Sequence, residues 1–331
     1  MDKKVVIVGL GMGRHHARLV NETPGLHLYG ICDINAVRRE DAKRVWPHVK
    51  MYSRFDRVLA DEAVHLVSLV VPHNQHCKMA IQAMRAGKNV VLDKPMCLSV
   101  PEARAMLRAR DQAKVLLSVF QNRRWDDDFL TVQRAVEAGL IGNILHFESN
   151  IAWHGQFGGW RTKRRAMGGW MFDWGAHLLD QLCLLVKSKP RSVFAVQHWN
   201  PEYQHEVEDF IRALIRFEDG TSACITVSAM GRLPMPRFCL FGTEGMLVYR
   251  EGEPDPCRIG RKVNGMEVRL MPPVVKGQWQ SFYGNISGAL ARREKLIVRP
   301  DELLPSLAIA HAAHLSAAKG REVRIREVAR L

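Results

Sequence analysis

Three side chains, Lys94, Asp173 and His177, are of the type and in the setting to move a proton on and off an oxygen. Lys94 follows Val90-Val91-Leu92-Asp93 and precedes Pro95. That is the C-terminal end of a parallel strand, where open α/β sheets bind ligands, and the proline keeps the lysine backbone extended. An amine held there can donate to a hydroxyl or carbonyl oxygen and favour negative charge on it. The same pattern also suits a solvated turn lysine. In the stretch from Gly168-Gly169 to Asp180, a helix beginning at about Met171 puts Asp173, His177 and Asp180 at i, i+4 and i+7, on one face. An imidazole beside carboxylates is poised to take a proton near neutral pH; a histidine satisfied within its own helix is the blander alternative. Gly175 inside that helix marks a close approach by a ligand or another backbone. No HExxH motif or third ligand at metal spacing accompanies these residues, so no metal is expected.

A second constellation lies at the N-terminus. Gly9-Leu10-Gly11-Met12-Gly13 stands between an apolar run, Val5–Val8, and a helical pattern, Arg14–Asn21. Glycines there permit a tight turn and let backbone N–H groups approach a pyrophosphate. Asp33 ends the next strand, where a carboxylate accepts from a ribose 2′-hydroxyl and repels a 2′-phosphate. The expected cofactor is therefore NAD, with NADP left open by Arg38 and Arg39 nearby. The third glycine comes one residue early, with Arg14 where GxGxxG would place it, which predicts a shortened turn.

Strands alternate with amphipathic helices as far as about Asn122, the mark of a parallel sheet covered on both faces. Beyond it come longer strands without intervening helices: 193–199, 210–217, 222–228 and 237–241, two of them joined at Glu218-Asp219-Gly220. The expected fold is α/β, an N-terminal Rossmann domain (1–122) followed by an α+β domain (123–331) with a largely antiparallel open sheet. The last helix has the option of packing back on the first domain. No apolar run reaches the length of a membrane span, and no export signal is visible, so a cytoplasmic protein without membrane partners is expected. Seven scattered cysteines without CxxC suit reduced thiols. The net charge of +14 lacks the basic stripe interleaved with aromatics of a nucleic-acid binder. Its densest cluster is Arg161, Lys163, Arg164 and Arg165, equally a solvated loop or an attractor for an anionic substrate.

Together these segments resemble the glucose–fructose oxidoreductase/inositol dehydrogenase (Gfo/Idh/MocA) family nearly end to end. VGLGMGRHHA resembles its dinucleotide turn, and Pro72-His73-Asn74-Gln75-His76 its loop after the fourth strand. AGKNVVLDKP resembles its AGKHVxxEKP signature, Gly168 to Asp180 its GGxxxDxGxHxxD, and Ser316 to Val323 its closing SAxxGrxV. The resemblance implies hydride transfer between nicotinamide and a ring hydroxyl carbon of a sugar, cyclitol or related polyol. It implies Lys94, Asp173 and His177 as the catalytic trio: His177 exchanging the hydroxyl proton, Lys94 binding the same oxygen, and Asp173 positioning substrate or His177. Pro72, Asn74 and His76 fall where relatives line the nicotinamide ribose, alongside Gly9, Gly11, Met12, Gly13, Asp33, Asp93 and Lys94 as cofactor contacts. Arg124, Trp160 and Arg161 are candidate substrate contacts. A homodimer or homotetramer through the second sheet is implied too. Two other readings remain: a redox-neutral glycoside-cleaving enzyme using NAD transiently, and a cofactor-binding regulator without turnover. Asp93 stands where the family has Glu, one methylene shorter, which leaves its role open.

Overall fold

The computed structural model describes residues 2–328. It divides into two compact units: the chain up to Cys97 with Pro101–Gln121 and Trp279–Leu303, and Leu98–Val100 with Asn122–Gln278 and everything from Leu304.

In the first unit, β1 (Lys3–Val8), α1 (Gly13–Asn21), β2 (Leu26–Cys32), α2 (Ala36–Val45), β3 (Lys50–Tyr52), α3 (Phe55–Ala60), β4 (Leu66–Leu69), α4 (His73–Arg85), β5 (Asn89–Leu92), α5 (Val100–Ala113) and β6 (Leu117–Val119) follow one another. All strand pairs are parallel, in the order β3-β2-β1-β4-β5-β6. That is the doubly wound order whose crevice, where the winding reverses between β1 and β4, receives dinucleotides. The β-branched runs are wholly buried because helices cover both faces, as at Val5, Val6, Val67, Val90 and Val91.

In the second unit the order along the chain is α6 (Asp127–Glu137), β7 (Ile144–Ala152), α7 (Arg164–Met167), α8 (Gly175–Leu185), β8 (Pro190–His198), β9 (Phe210–Phe217), β10 (Ser222–Ser228), β11 (Phe238–Gly242), β12 (Gly245–Tyr249), β13 (Cys257–Val263) and β14 (Met266–Leu270). The strands join a nine-stranded sheet in which only the β7–β10 pair is parallel. One face of β9 is buried (Ile211, Ala213, Ile215) and the other exposed, the period-two pattern of a sheet covered on one side.

The chain then returns to the first unit as α9 (Gln280–Leu290), whereas the sequence boundary left everything after 122 in the second. Phe282 and Tyr283 of α9 are buried, and Phe282 meets Phe120 edge to face at 4.9 Å. Gln280 donates to the Leu19 carbonyl at 2.7 Å and Ser287 to the Pro24 carbonyl at 2.7 Å, which ties α9 to the end of α1. The second unit is completed by α10 (Leu304–Lys319), β15 (Val323–Arg324) and α11 (Ile325–Val328); α10 lies on β8 and α8.

Candidate active site

The glycine turn runs from the end of β1 directly into α1. Gly9 has φ +91°, and a Cβ there would lie 2.1 Å from the Val70 carbonyl oxygen. Helix α1 begins at Gly13, where a Cβ would sit 3.1 Å from Ile7; this glycine already permits the close helix–strand packing, so no glycine is needed at Arg14. Around Gly11 a Cβ would meet nothing within 4 Å, leaving open space over the turn. Asp33 is buried, and its two oxygens accept from Leu10 N and Asn35 N, each at 2.8 Å. Two amides fix the carboxylate and leave it lone pairs for a ribose. The Arg38 guanidinium stands 3.8 Å from it, and Arg39 donates to the Asp33 carbonyl at 2.7 Å. A glycine turn open at Gly11, a helix N-terminus and a fixed acid at the end of β2 fit a dinucleotide.

Lys94 leaves the end of β5 through a cis peptide to Pro95. Its N–H donates to Asp93 Oδ1 at 2.9 Å. Helix α4 starts at His73, directly after Pro72, so Asn74 and His76 lie in helix and not in a preceding loop. His76 is fully buried, with Nδ1 2.7 Å from the Pro95 carbonyl and Nε2 3.0 Å from that of Val71. Burial lowers its pKa in spite of both carbonyls, so the ring is neutral and donates through one nitrogen. His76 thus lies between the carbonyls of the lysine turn and of the segment after β4 and donates to one of them.

In the second unit the helix expected from about Met171 starts four residues later, which leaves Asp173 outside it. Helix α8 begins only at Gly175; residues 170–174 are a turn in which Gly175 N reaches the Trp170 carbonyl at 2.9 Å. Gly168 and Gly169, at φ +87° and +118°, open it, and Glu208 Oε1 accepts from Trp170 N at 2.7 Å. At Gly175 the close neighbour is Met171, whose sulfur would lie 2.7 Å from a Cβ. Asp173 thus precedes the helix and pairs with Arg161 Nε at 3.1 Å, and the Arg161 guanidinium stacks on Trp160 at 4.5 Å. His177 is buried on the first turn of α8, its ring 6.3 Å from that of Trp174. Asp180 turns to Arg124, which grips both carboxylate oxygens at 2.7 and 2.8 Å with both residues buried. Arg124, expected as a substrate contact, thus braces α8 through this pair. Arg237 adds a second brace, to Asp128 at 3.0 Å and Gln181 at 2.8 Å.

Sequence reasoning passed over Glu208. It is fully buried, and it also accepts from His314 Nε2 at 2.9 Å and Arg164 at 3.2 Å. Lys163 pairs with Glu206 at 3.1 Å. Of the basic run, Arg161, Lys163 and Arg164 all have carboxylate partners. No His, Cys, Asp or Glu cluster fit for a metal exists among the described residues, and no helix there is long and apolar enough to cross a membrane.

Comparison with known proteins identifies the family of both units. The family described as "Oxidoreductase family, NAD-binding Rossmann fold" matches residues 3–121, and "GFO/IDH/MocA C-terminal domain" matches 129–248. An NAD-binding protein from Listeria innocua is 31% identical, with a TM-score of 0.90 over 98% of this chain and 99% of its own. The scyllo-inositol 2-dehydrogenase (NADP(+)) of Bacillus subtilis is 27% identical over 97% of this chain and 96% of its own. The D-apiose dehydrogenase of Paraburkholderia graminis is 23% identical over 98% and 90%.

Proposed function

Because the chain belongs to the Gfo/Idh/MocA oxidoreductase family and carries its NAD-binding Rossmann domain, we propose that it transfers a hydride to or from a hydroxyl-bearing ring carbon of an uncharged sugar or cyclitol. The relatives that span nearly the whole chain and are named for scyllo-inositol and D-apiose support the polyol class. The observation that carries "uncharged" is the pairing of Asp173 with Arg161, Asp180 with Arg124, and Lys163 and Arg164 with Glu206 and Glu208. These pairs neutralise three of the four basic residues of the run and leave only exposed Arg165, which weakens the attraction for a carboxylate or phosphate that the run had suggested.

Bound NAD supplies the hydride acceptor. Gly11, Met12 and Gly13 offer it backbone N–H groups, Gly9, whose own N–H goes to the Cys32 carbonyl, lets the turn pass close to it, Asp33 takes its adenosine ribose, and Pro72 and Asn74 line the nicotinamide ribose. His177 takes the hydroxyl proton, and Lys94 donates to the same oxygen and favours its developing charge. Asp173, held by Arg161, orients the substrate. Trp160, under the Arg161 guanidinium, keeps that arginine flat. We further propose self-association through the open face of the second sheet, where Phe194 and Leu214, paired across β8 and β9, and Phe241 and Met246, paired across β11 and β12, are exposed.

The test is a panel of inositols, aldoses and uronates with NAD and with NADP, followed by reduced-nicotinamide absorbance. Turnover confined to neutral cyclic polyols, with accumulation of the reduced cofactor, is the expected result. A preference for uronates, or no net reduction with any compound, would overturn the proposal.

A further inference from the structure

Beneath the lysine turn lies a buried polar chain that the reaction as proposed does not use. Tyr283 of the returning helix α9 is fully buried, and its hydroxyl lies 2.8 Å from His16 Nδ1 and 2.9 Å from the Ser68 hydroxyl. His16, on α1, is 1% exposed, and its Nε2 faces Asp93 Oδ1 at 3.9 Å. The same Asp93 oxygen accepts the Lys94 N–H at 2.9 Å. Burial holds the His16 imidazole down to about 4, against the pull of Asp93, so the ring is neutral and carries one proton.

The Ser68 hydroxyl also lies 3.4 Å from His16 Nδ1, and one arrangement of hydrogens suits all these contacts best. Were Nδ1 protonated, Nε2 would turn a lone pair toward a carboxylate, two acceptors face to face. With the proton on Nε2, the ring offers Asp93 an N–H, and Nδ1 accepts from the Tyr283 hydroxyl. The Tyr283 oxygen then accepts from Ser68. Each buried group has a role, and the chain runs in one direction, from the core toward Lys94. Ser68 is itself fully buried, so the chain is closed at that end, while Asp93 at the other is partly exposed. With no proton source behind it, the chain is suited to hold a carboxylate in place and not to relay protons.

We propose that Tyr283 and His16 are positioning residues: they fix Asp93, and through its bond to the Lys94 N–H they fix the turn that aims the lysine amine. The proposal rests on the reading of Lys94 as the group that binds the reacting oxygen. The shorter acid at position 93 leaves the contact at 3.9 Å, beyond hydrogen-bond range, so its charge favours Nε2–H only weakly and the Tyr283 hydroxyl, with that of Ser68 farther off at 3.4 Å, must hold Nδ1 as the acceptor. A glutamate there, one methylene longer, can reach Nε2–H directly and choose it without help.

The experiment uses the full chain with NAD, comparing wild type with Tyr283→Phe, Asp93→Glu and the double variant. The first readout is the His16 tautomer by nitrogen-15 NMR on histidine-labelled protein, with His16→Gln assigning the signal; it requires no turnover. Wild type should carry its proton on Nε2, Tyr283→Phe should show a mixture, and Asp93→Glu in that background should restore Nε2–H. The second is kcat and KM for scyllo-inositol, with NAD affinity by calorimetry. Tyr283→Phe should lower kcat by roughly tenfold to a hundredfold, as expected for a misplaced catalytic group. KM and NAD affinity should hold within about twofold, and the double variant should recover most of kcat. A packing defect would not be repaired from position 93. A wild-type proton on Nδ1, or a kcat that Tyr283→Phe leaves unchanged in an active enzyme, overturns the inference. If wild type and Lys94→Met alike fail on every polyol, the reading of Lys94 falls, and the tautomer result still decides whether the chain is directed as described.

Discussion

Replacing Glu208 with Gln tests whether the turn before His177 is held by a buried charge. Glu208 is fully buried, yet three donors converge on it: Trp170 N at 2.7 Å, His314 Nε2 at 2.9 Å and Arg164 at 3.2 Å. Burial pushes its pKa up, but the charge and hydrogen bond of His314, helped by Arg164, outweigh that and hold it below the usual glutamate value. Gln keeps the shape and one acceptor, removes the charge, and turns an NH2 group toward a donor. Removing one partner of a buried pair costs about 3–5 kcal/mol, and the retained acceptor places this case near 3. For a unit of this size that corresponds to a melting shift of roughly 6–12 °C. Six of the eight tryptophans lie in the second unit, so intrinsic fluorescence follows its unfolding. The pH dependence has a fixed sign. A depressed folded pKa contributes stability above the unfolded value of about 4.3 and loses it as pH falls through the folded one. The gap between wild type and variant should therefore be full at neutral pH and narrow below about pH 4. A variant melting within about 2 °C of wild type at pH 7, the range of a surface substitution, would refute the reasoning.

Gly9→Ala should weaken NAD binding at least about tenfold by calorimetry, since the new Cβ meets the Val70 carbonyl oxygen at 2.1 Å in a left-handed backbone. Asp33→Ser should lower the preference for NAD over NADP by about tenfold or more, because the carboxylate that repels a 2′-phosphate is gone while Arg38 remains beside it. His177→Gln and Lys94→Met should each lower kcat by roughly 10²–10⁴-fold with NAD affinity unchanged, the range for a positioned acid or base.

The sheet of the first unit, its glycine turn and Asp33 were legible because each depends on neighbours close in sequence. The end of β2 and the lysine turn after β5 follow from local runs and proline chemistry. Pairings across long separations were not: Arg124 meets Asp180 over 56 residues, and Glu208 meets His314 over 106. Glu208 sits at the foot of a strand like any surface acid, and no spacing marks it. Helix α9 escaped notice because Gly284 and Gly288 lower its helical propensity, and its buried face includes Tyr283, Asn285 and Ser287, which do not read as a hydrophobic stripe. The β13–β14 hairpin did carry a signal, Asn264-Gly265 with both residues at positive φ, the hairpin turn that such a dipeptide favours. The expected early start of helix α8 missed for a physical reason: two glycines and a buried glutamate stabilise a turn where helical periodicity alone would begin the helix.

The non-contiguous build of the nucleotide-binding unit bears on how the protein is made. Its core lacks Phe282 and Tyr283 until the ribosome has passed Leu303, so the first hundred or so residues emerge with a gap where α9 belongs. A nascent chain shorter than that has a glycine turn but no finished floor beneath its lysine. Competence to handle cofactor then arrives near the end of translation, and a fragment cut at the apparent domain boundary is the wrong piece to express.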